Sequence, residues 1–144
     1  MKVEDILRTK GARVVTVGAD ERIAEAAKLL MRERIGAIVV CDPQQRPRAL
    51  LSERDIVHGL STHGAEVLRM PIDALMHVDV VTCGLQDSLL KVMAMMTDRR
   101  VRHLPVTDKD GRLCGIVSVG DAVKGRMEEI EAEASALRDY IATA

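Results

Sequence analysis

The chain has 144 residues, 47% of them apolar and 30% charged, with a formal net charge of −1. That balance describes a globular unit, one domain or two small halves sharing a core, and it argues against broad electrostatic attraction to nucleic acid or an anionic membrane. With no Trp, no Phe and one Tyr, the chain also lacks the aromatic platforms on which single-stranded nucleic acid stacks, so a flat ligand must lie between aliphatic side chains.

The opening stretch MKVEDILRTKG holds no apolar run of signal-peptide length. The longest apolar runs, such as AIVVC, fall far short of a membrane span, and the expected compartment is the reducing cytoplasm. RVVTV, from Arg13, reads as a β-branched strand. A helix opened by Asp20 follows, with Ile23, Ala27 and Leu30 on one face. GAIVVCD is a second strand, PQQRP a turn, and a third strand ends where a second helix begins at Ser52. STHGAEVLRMP suits a joint, with Pro71 at the first helical position of the next segment.

The same order then returns. DVVTC is a strand, and a helix opened by Asp87 or Ser88 carries Leu89, Val92 and Met96. RHLPVTD, the turn KDGR, a third strand and a helix from Ser118 complete it. Met93, Met95 and Met96 read as flexible core filling.

A shift of 66 lays residues 14–59 on 80–125 without a gap. Val14, Val15, Thr16, Gly18, Arg34, Val40, Asp42, Arg46, Ser52, Asp55, Val57 and Gly59 meet identical partners, and most other apolar positions stay apolar. VEDIL also resembles IDALM if the first copy carries three extra residues before Val14. This is an internal duplication. It divides the chain into a first repeat at 1–63, a second at 64–125 and a helical tail at 126–144.

Each copy places a serine and an aspartate three apart, directly after a short apolar strand: Ser52 with Asp55, and Ser118 with Asp121. Two readings fit. In one the pair is a capping box, the serine at N-cap and the acid at N3. In the other, the helix N-terminus and the serine hydroxyl receive a phosphate while the acid accepts from two vicinal hydroxyls, with Arg54 adding a charged donor in the first copy. Spacing alone does not separate them.

The duplication, the element order and the stretch VRHLPVTDKDGRLCGIVSVGDAV together resemble a pair of CBS domains, the regulatory module often called a Bateman module. The resemblance covers residues 1–125. It implies an α+β fold of two strand–helix–strand–strand–helix repeats packed sheet to sheet about a pseudo-two-fold axis, with a C-terminal helical extension. It further implies clefts between the halves that take adenosine ligands such as AMP, ADP, ATP, NAD(H) or S-adenosylmethionine.

Carried over on this resemblance, Asp55 and Asp121 hold ribose hydroxyls, with Ser52 and Ser118 near phosphate. Thr16 and Thr82 lie beside the adenine, and the backbone around Ala37, Ile38, His103, Leu104 and Pro105 lines the base. Arg102 and His103 match basic phosphate contacts. The first copy departs from the pattern, with Ala49 where glycine is usual and neither the basic pair nor the proline of RHLPV. Its methyl is expected to crowd a close backbone approach and to make the first site differ from the second.

Cys41, Cys83 and Cys114 are odd in number and lack metal-ligand spacing, so they read as small buried hydrophobes. His58, His63 and His77 are scattered and read as solvated or hydrogen-bonding rather than metal-binding; no catalytic triad and no phosphate-binding GKS or GKT loop is legible. Catalysis is therefore not the leading reading. In the tail, Val123, Met127, Ile130, Ala134, Leu137 and Ile141 form an a/d stripe that suits docking on the chain's own body or on a second copy. The favoured function is an adenine-nucleotide-sensing homodimer acting on an effector protein, without nucleic acid, membrane or metal. The alternative is a scaffolding pair whose clefts are degenerate.

Overall fold

The computed structural model describes residues 1–76 and 78–144. His77 lies outside the described residues. The chain runs α1 (Val3–Lys10), β1 (Thr16–Val17), α2 (Ile23–Glu33), β2 (Ala37–Cys41), β3 (Pro47–Ser52) and α3 (Glu53–His63). Short 3-10 stretches at Gly64–Arg69 and Ile72–Ala74 join this to β4 (Cys83–Gly84), α4 (Leu89–Arg99), β5 (His103–Thr107), β6 (Leu113–Ser118) and α5 (Val119–Thr143). Two three-stranded sheets result, ordered β1-β2-β3 and β4-β5-β6. In each, the first strand pairs parallel and the third antiparallel to the middle one, and the registers correspond under the shift of 66. The fold is the α+β pair that the repeat implies.

Several identities between the copies have structural causes. The Asp42 carboxylate accepts from the amides of Gln44 and Arg46, both at 2.9 Å, and Asp108 does the same for Asp110 and Arg112 at 2.9 and 3.0 Å. These aspartates hold the β2–β3 and β5–β6 turns. Arg34 and Arg100, both at φ 54°, end α2 and α4 in the left-handed conformation. Met96 is buried, with Met93 and Met95 packed against the same cluster, as core filling requires.

The packing units do not follow the sequence halves. Val3, Ile6 and Leu7 of α1 are buried with Leu89, Val92, Leu104, Val106 and Val117 of the second sheet's core. Val67 and Ile72, from the joint, are buried with Ile23, Leu30, Ile38, Val40 and Leu51 of the first. Each leading segment has crossed to the other half, and the two crossings are equivalent in detail. The Val3 amide donates to the Asp87 carbonyl at 3.0 Å as Ile72 does to Glu21 at 2.8 Å; Glu4 donates to Leu85 at 3.0 Å as Asp73 does to Ala19 at 3.1 Å. The likeness of VEDIL to IDALM is thus a likeness of role.

Leu7 closes the crossing against Gly115, where an added Cβ would fall 2.5 Å from Leu7 Cδ1. Truncating Leu7 to alanine should cost about 2–5 kcal/mol, because the bare Gly115 strand offers nothing to fill the void. Thermal or denaturant unfolding measures it. A loss well under 1 kcal/mol would mean that α1 does not anchor in the second core.

The structure corrects three local readings. Of RVVTV and DVVTC only Thr16–Val17 and Cys83–Gly84 are strand, since β1 meets β2 at Val39 and Val40 alone and β4 meets β5 at Val106 and Thr107 alone. β-Branched residues favour a pleated surface but form no strand without a ladder partner. Asp20 does not open α2: Arg22 is its N-cap, and the Met70 carbonyl accepts the Ile23 amide at 2.9 Å. In the second copy Ser88 is the N-cap of α4, its hydroxyl accepting from the Lys91 amide at 3.1 Å. Pro71 precedes the Ile72–Ala74 turn in extended conformation rather than standing inside it.

The final helix continues unbroken to Thr143. Ala122 and Gly125 are buried at its start, but Met127 is 61% exposed, Leu137 60% and Ile141 65%. The stripe is open in the isolated chain. No helix among the described residues is long and apolar enough to cross a membrane.

Candidate ligand cleft between the repeats

The two Ser-x-x-Asp motifs form closed capping boxes. Ser52 Oγ accepts from the Asp55 amide at 3.3 Å, and the Ser52 amide donates to Asp55 Oδ2 at 2.8 Å. In the second copy the Asp121 amide donates to Ser118 Oγ at 3.1 Å and the Ser118 amide to Asp121 Oδ2 at 2.9 Å. The first amide of each helix is also taken: Glu53 donates to the Gly36 carbonyl at 3.0 Å and Val119 to the Arg102 carbonyl at 2.9 Å. Two of the first three amides of each helix are thus used internally, which limits what the helix start alone can offer a phosphate. The capping reading holds, and any ligand must engage groups that already cap.

The second capping box, through Ser118, borders a cleft of about 350 Å³. Its walls come from both repeats. The first gives Arg13, Val14 and Val15 ahead of β1 and the turn from Glu33 to Ala37; the second gives His103, Ile116 and Ser118. The shortness of β1 shapes it: the ladder with β2 begins at Thr16, ahead of it the Val15 carbonyl accepts from the Val39 amide at 3.4 Å, and β3 flanks the other edge of β2 as far as Ala37. Aliphatic Val14, Val15, Ile35 and Ile116 offer the flat, non-aromatic walls that the composition demands.

Lys10, the last residue of α1, also lines the cleft. Its ammonium donates to Asp121 Oδ2 at 2.5 Å and to the Ile116 carbonyl at 2.8 Å. Burial works to raise the Asp121 pKa, but the bonds from Lys10 and Ser118 outweigh it and hold the carboxyl below its ordinary value. The bonds from Lys10 and from the Ser118 amide both fall on Oδ2. His103 is shifted down by burial and by the nearby charges of Lys10 and Arg102, so its ring is neutral at neutral pH. Arg13 is tied to Glu33 by two bonds of 2.9 and 3.1 Å, whereas Arg34 lines the cleft from its left-handed cap.

Among the residues singled out in the sequence, the cleft gathers Ala37, His103 and Ser118, with Asp121 held to it through Lys10. Ile38, Leu104 and Pro105 are buried, so only their backbone could meet a ligand. Arg54 and Arg102 are exposed, Thr82 is half-buried just ahead of β4, and Ser52 is half-buried beside buried Asp55. Thr16 lies elsewhere, lining a second depression with Asp20, Asp42 and Asp73. Val14 and Val15, just ahead of it, line the cleft.

The concern over Ala49 is overturned: its side chain is fully buried in the first core, and the equivalent Gly115 points at Leu7. That position governs helix packing, so its methyl does not enter a cleft. The thiols are inert, with burial, then a neighbouring aspartate, pushing Cys41 up to about 11 and Cys83 up to about 12. Lys10, Arg13 and Arg34 were not legible as site residues. Lys10 and Arg13 sit in the stretch that breaks the repeat, and that interruption was the one available signal.

Two equivalent three-stranded repeats, each with a Ser-x-x-Asp capping box, and a cleft walled by both define a class. The model of the CBS domain family matches residues 3–62 and again 72–128, and the chain belongs to that family as a tandem pair. It is similar to a CBS-domain containing protein from Agrobacterium tumefaciens, with 41% identity and a TM-score of 0.82 over 88% of this chain and 99% of that one. It is 31% identical to the CBS domain-containing protein YhcV of Bacillus subtilis, over 94% of this chain and 91% of that protein. A CBS domain protein from Pyrobaculum aerophilum, solved in complex with AMP, matches at 26% identity and a TM-score of 0.75 over 84% and 89% of the two chains.

Proposed function

We propose that this chain is a non-catalytic regulatory module that binds an adenine nucleotide, AMP, ADP, ATP or NAD(H), in the clefts between its two repeats. The observation that carries the reading is the placement of Ser118, Asp121 and His103 of one repeat opposite the aliphatic wall of the other. In this reading the Asp121 carboxylate accepts from a ribose diol and the purine lies in the aliphatic slot of the cleft. The AMP complex of the Pyrobaculum aerophilum relative supports an adenosine ligand for this fold. Ligand would change how the halves or two copies pack, and an effector protein in the cytoplasm would read that change. In this reading the sequence repeats are bounded at residues 63 and 125, and each of the units that close on the ligand also takes in the other repeat's leading segment.

The exposed apolar face is the proposed dimer surface. Val57 on α3 and Val123 on α5 are exposed at positions related by the shift of 66, and Leu60 on α3 and Met127 and Ile130 on α5 are exposed as well. A second copy of the chain covers both.

Calorimetric titration of ligand-free protein tests the nucleotide reading, since the chain has no tryptophan to report by fluorescence. Binding of AMP, ATP or NAD(H) in the micromolar range, about −8 kcal/mol, is expected. Flat isotherms for all three would leave a scaffolding pair.

A further inference from the structure

We propose that Lys10 makes phosphate a requirement of the Ser118 cleft, so that it selects adenosine ligands carrying a 5′-phosphate over neutral or cationic adenosine compounds. The inference rests on the adenosine reading above and names the class of ligand within it. Lys10 stands outside both repeat alignments, at the C-terminus of a helix that has crossed from the first repeat to the second core.

The physical ground is the pairing of charges inside the cleft. Glu33 in the lining is held by both terminal nitrogens of Arg13, and Asp121 beside it by Lys10. Arg34 has no carboxylate partner among the described residues, so the balance is already positive. Lys10 and Asp121 retain only 32% and 23% side-chain exposure, which makes separating them without replacement costly.

A ribose diol that takes Asp121 competes with the ammonium for the same carboxylate. A neutral nucleoside displaces Lys10 and leaves it half-buried beside the Ile116 carbonyl with no anion. A sulfonium-bearing adenosine adds a second cation there. A 5′-phosphate instead supplies the anion as the carboxylate is withdrawn, within reach of Lys10's flexible stem and of Arg34. The counter-ion of the empty clamp thereby becomes the phosphate sensor of the filled one. Movement of Lys10 also carries the event to α1.

The test is calorimetry of the full-length, ligand-free chain with AMP and with adenosine. The parent should prefer AMP by about tenfold or more, the scale of a charge-assisted hydrogen bond. In Lys10→Met, AMP should weaken while adenosine holds or tightens, so the preference falls by about tenfold. Lys10→Arg should keep most of it. Lys10→Gln serves as a second neutral variant, and melting near the parent's temperature shows each variant folded. If Lys10→Met and Lys10→Gln bind both ligands with the parent's ratio, the proposal is wrong while the adenosine reading stands. If the parent binds neither, both fall.

Discussion

Replacing Asp121 with alanine should weaken adenosine-ligand binding at the Ser118 cleft roughly 10- to 150-fold, the range for losing charged hydrogen bonds worth about 1.5–3 kcal/mol. The same change opens the capping box of α5, which costs about 0.5–2 kcal/mol of stability. It also leaves the Ser118 amide without its acceptor and Lys10 without its carboxylate. Stability and affinity must therefore be measured separately. Asp121→Asn sharpens the comparison, because an amide oxygen can still cap Ser118 but no longer answers Lys10 with a charge. A variant that melts lower yet binds like the parent would reduce Asp121 to a cap. Asp55→Ala makes the same test at the other motif, where Asp55 is 9% exposed and closely tied to both Ser52 groups. The two variants should differ in ligand or affinity, because Arg54 stands in the first motif where the second has Gly120.

The second large effect concerns assembly. A chain ending at Glu131 and carrying Met127→Glu and Ile130→Glu removes the outer stripe of α5 and puts charge on what remains. It spares Gly125, which packs against Leu89, and the ion pair of the Met1 amino group with Glu129 at 3.5 Å. The body of the molecule should stay folded, while sedimentation shifts from dimer toward monomer. Apolar side chains such as Met127, Leu137 and Ile141, each at least 60% exposed along one face of a helix, have no other evident means of leaving water. If the altered chain sediments as the parent does, the stripe is not the interface.

Much of the fold was legible because its causes are local. The order of elements followed from periodicity, and the duplication needed only the shift that superposes Ser52 and Asp55 on Ser118 and Asp121. Both capping boxes could be read from two residues three apart. The site was less legible, because its walls are assembled across the chain. Val14 and Val15 face the cleft only because β1 begins late, and that lateness depends on where β2 runs. The crossing of α1 is a long-range exchange that no window of sequence contains, and with it the arrival of Lys10 at Asp121, 111 residues away, stayed hidden. Ala49 misled for a related reason. A missing side chain can serve a ligand or a neighbouring helix, and Leu7 decides for the helix.

The central claim is that the cleft between the repeats is an adenosine site clamped by Asp121. A crystal structure of the chain grown with AMP addresses it most directly. The ribose hydroxyls should lie on the Asp121 carboxylate, the base between Val14, Ile35 and Ile116, and the phosphate beside a Lys10 that has left Asp121. AMP bound outside this cleft, or a Lys10–Asp121 pair intact beneath a bound nucleotide, would contradict it.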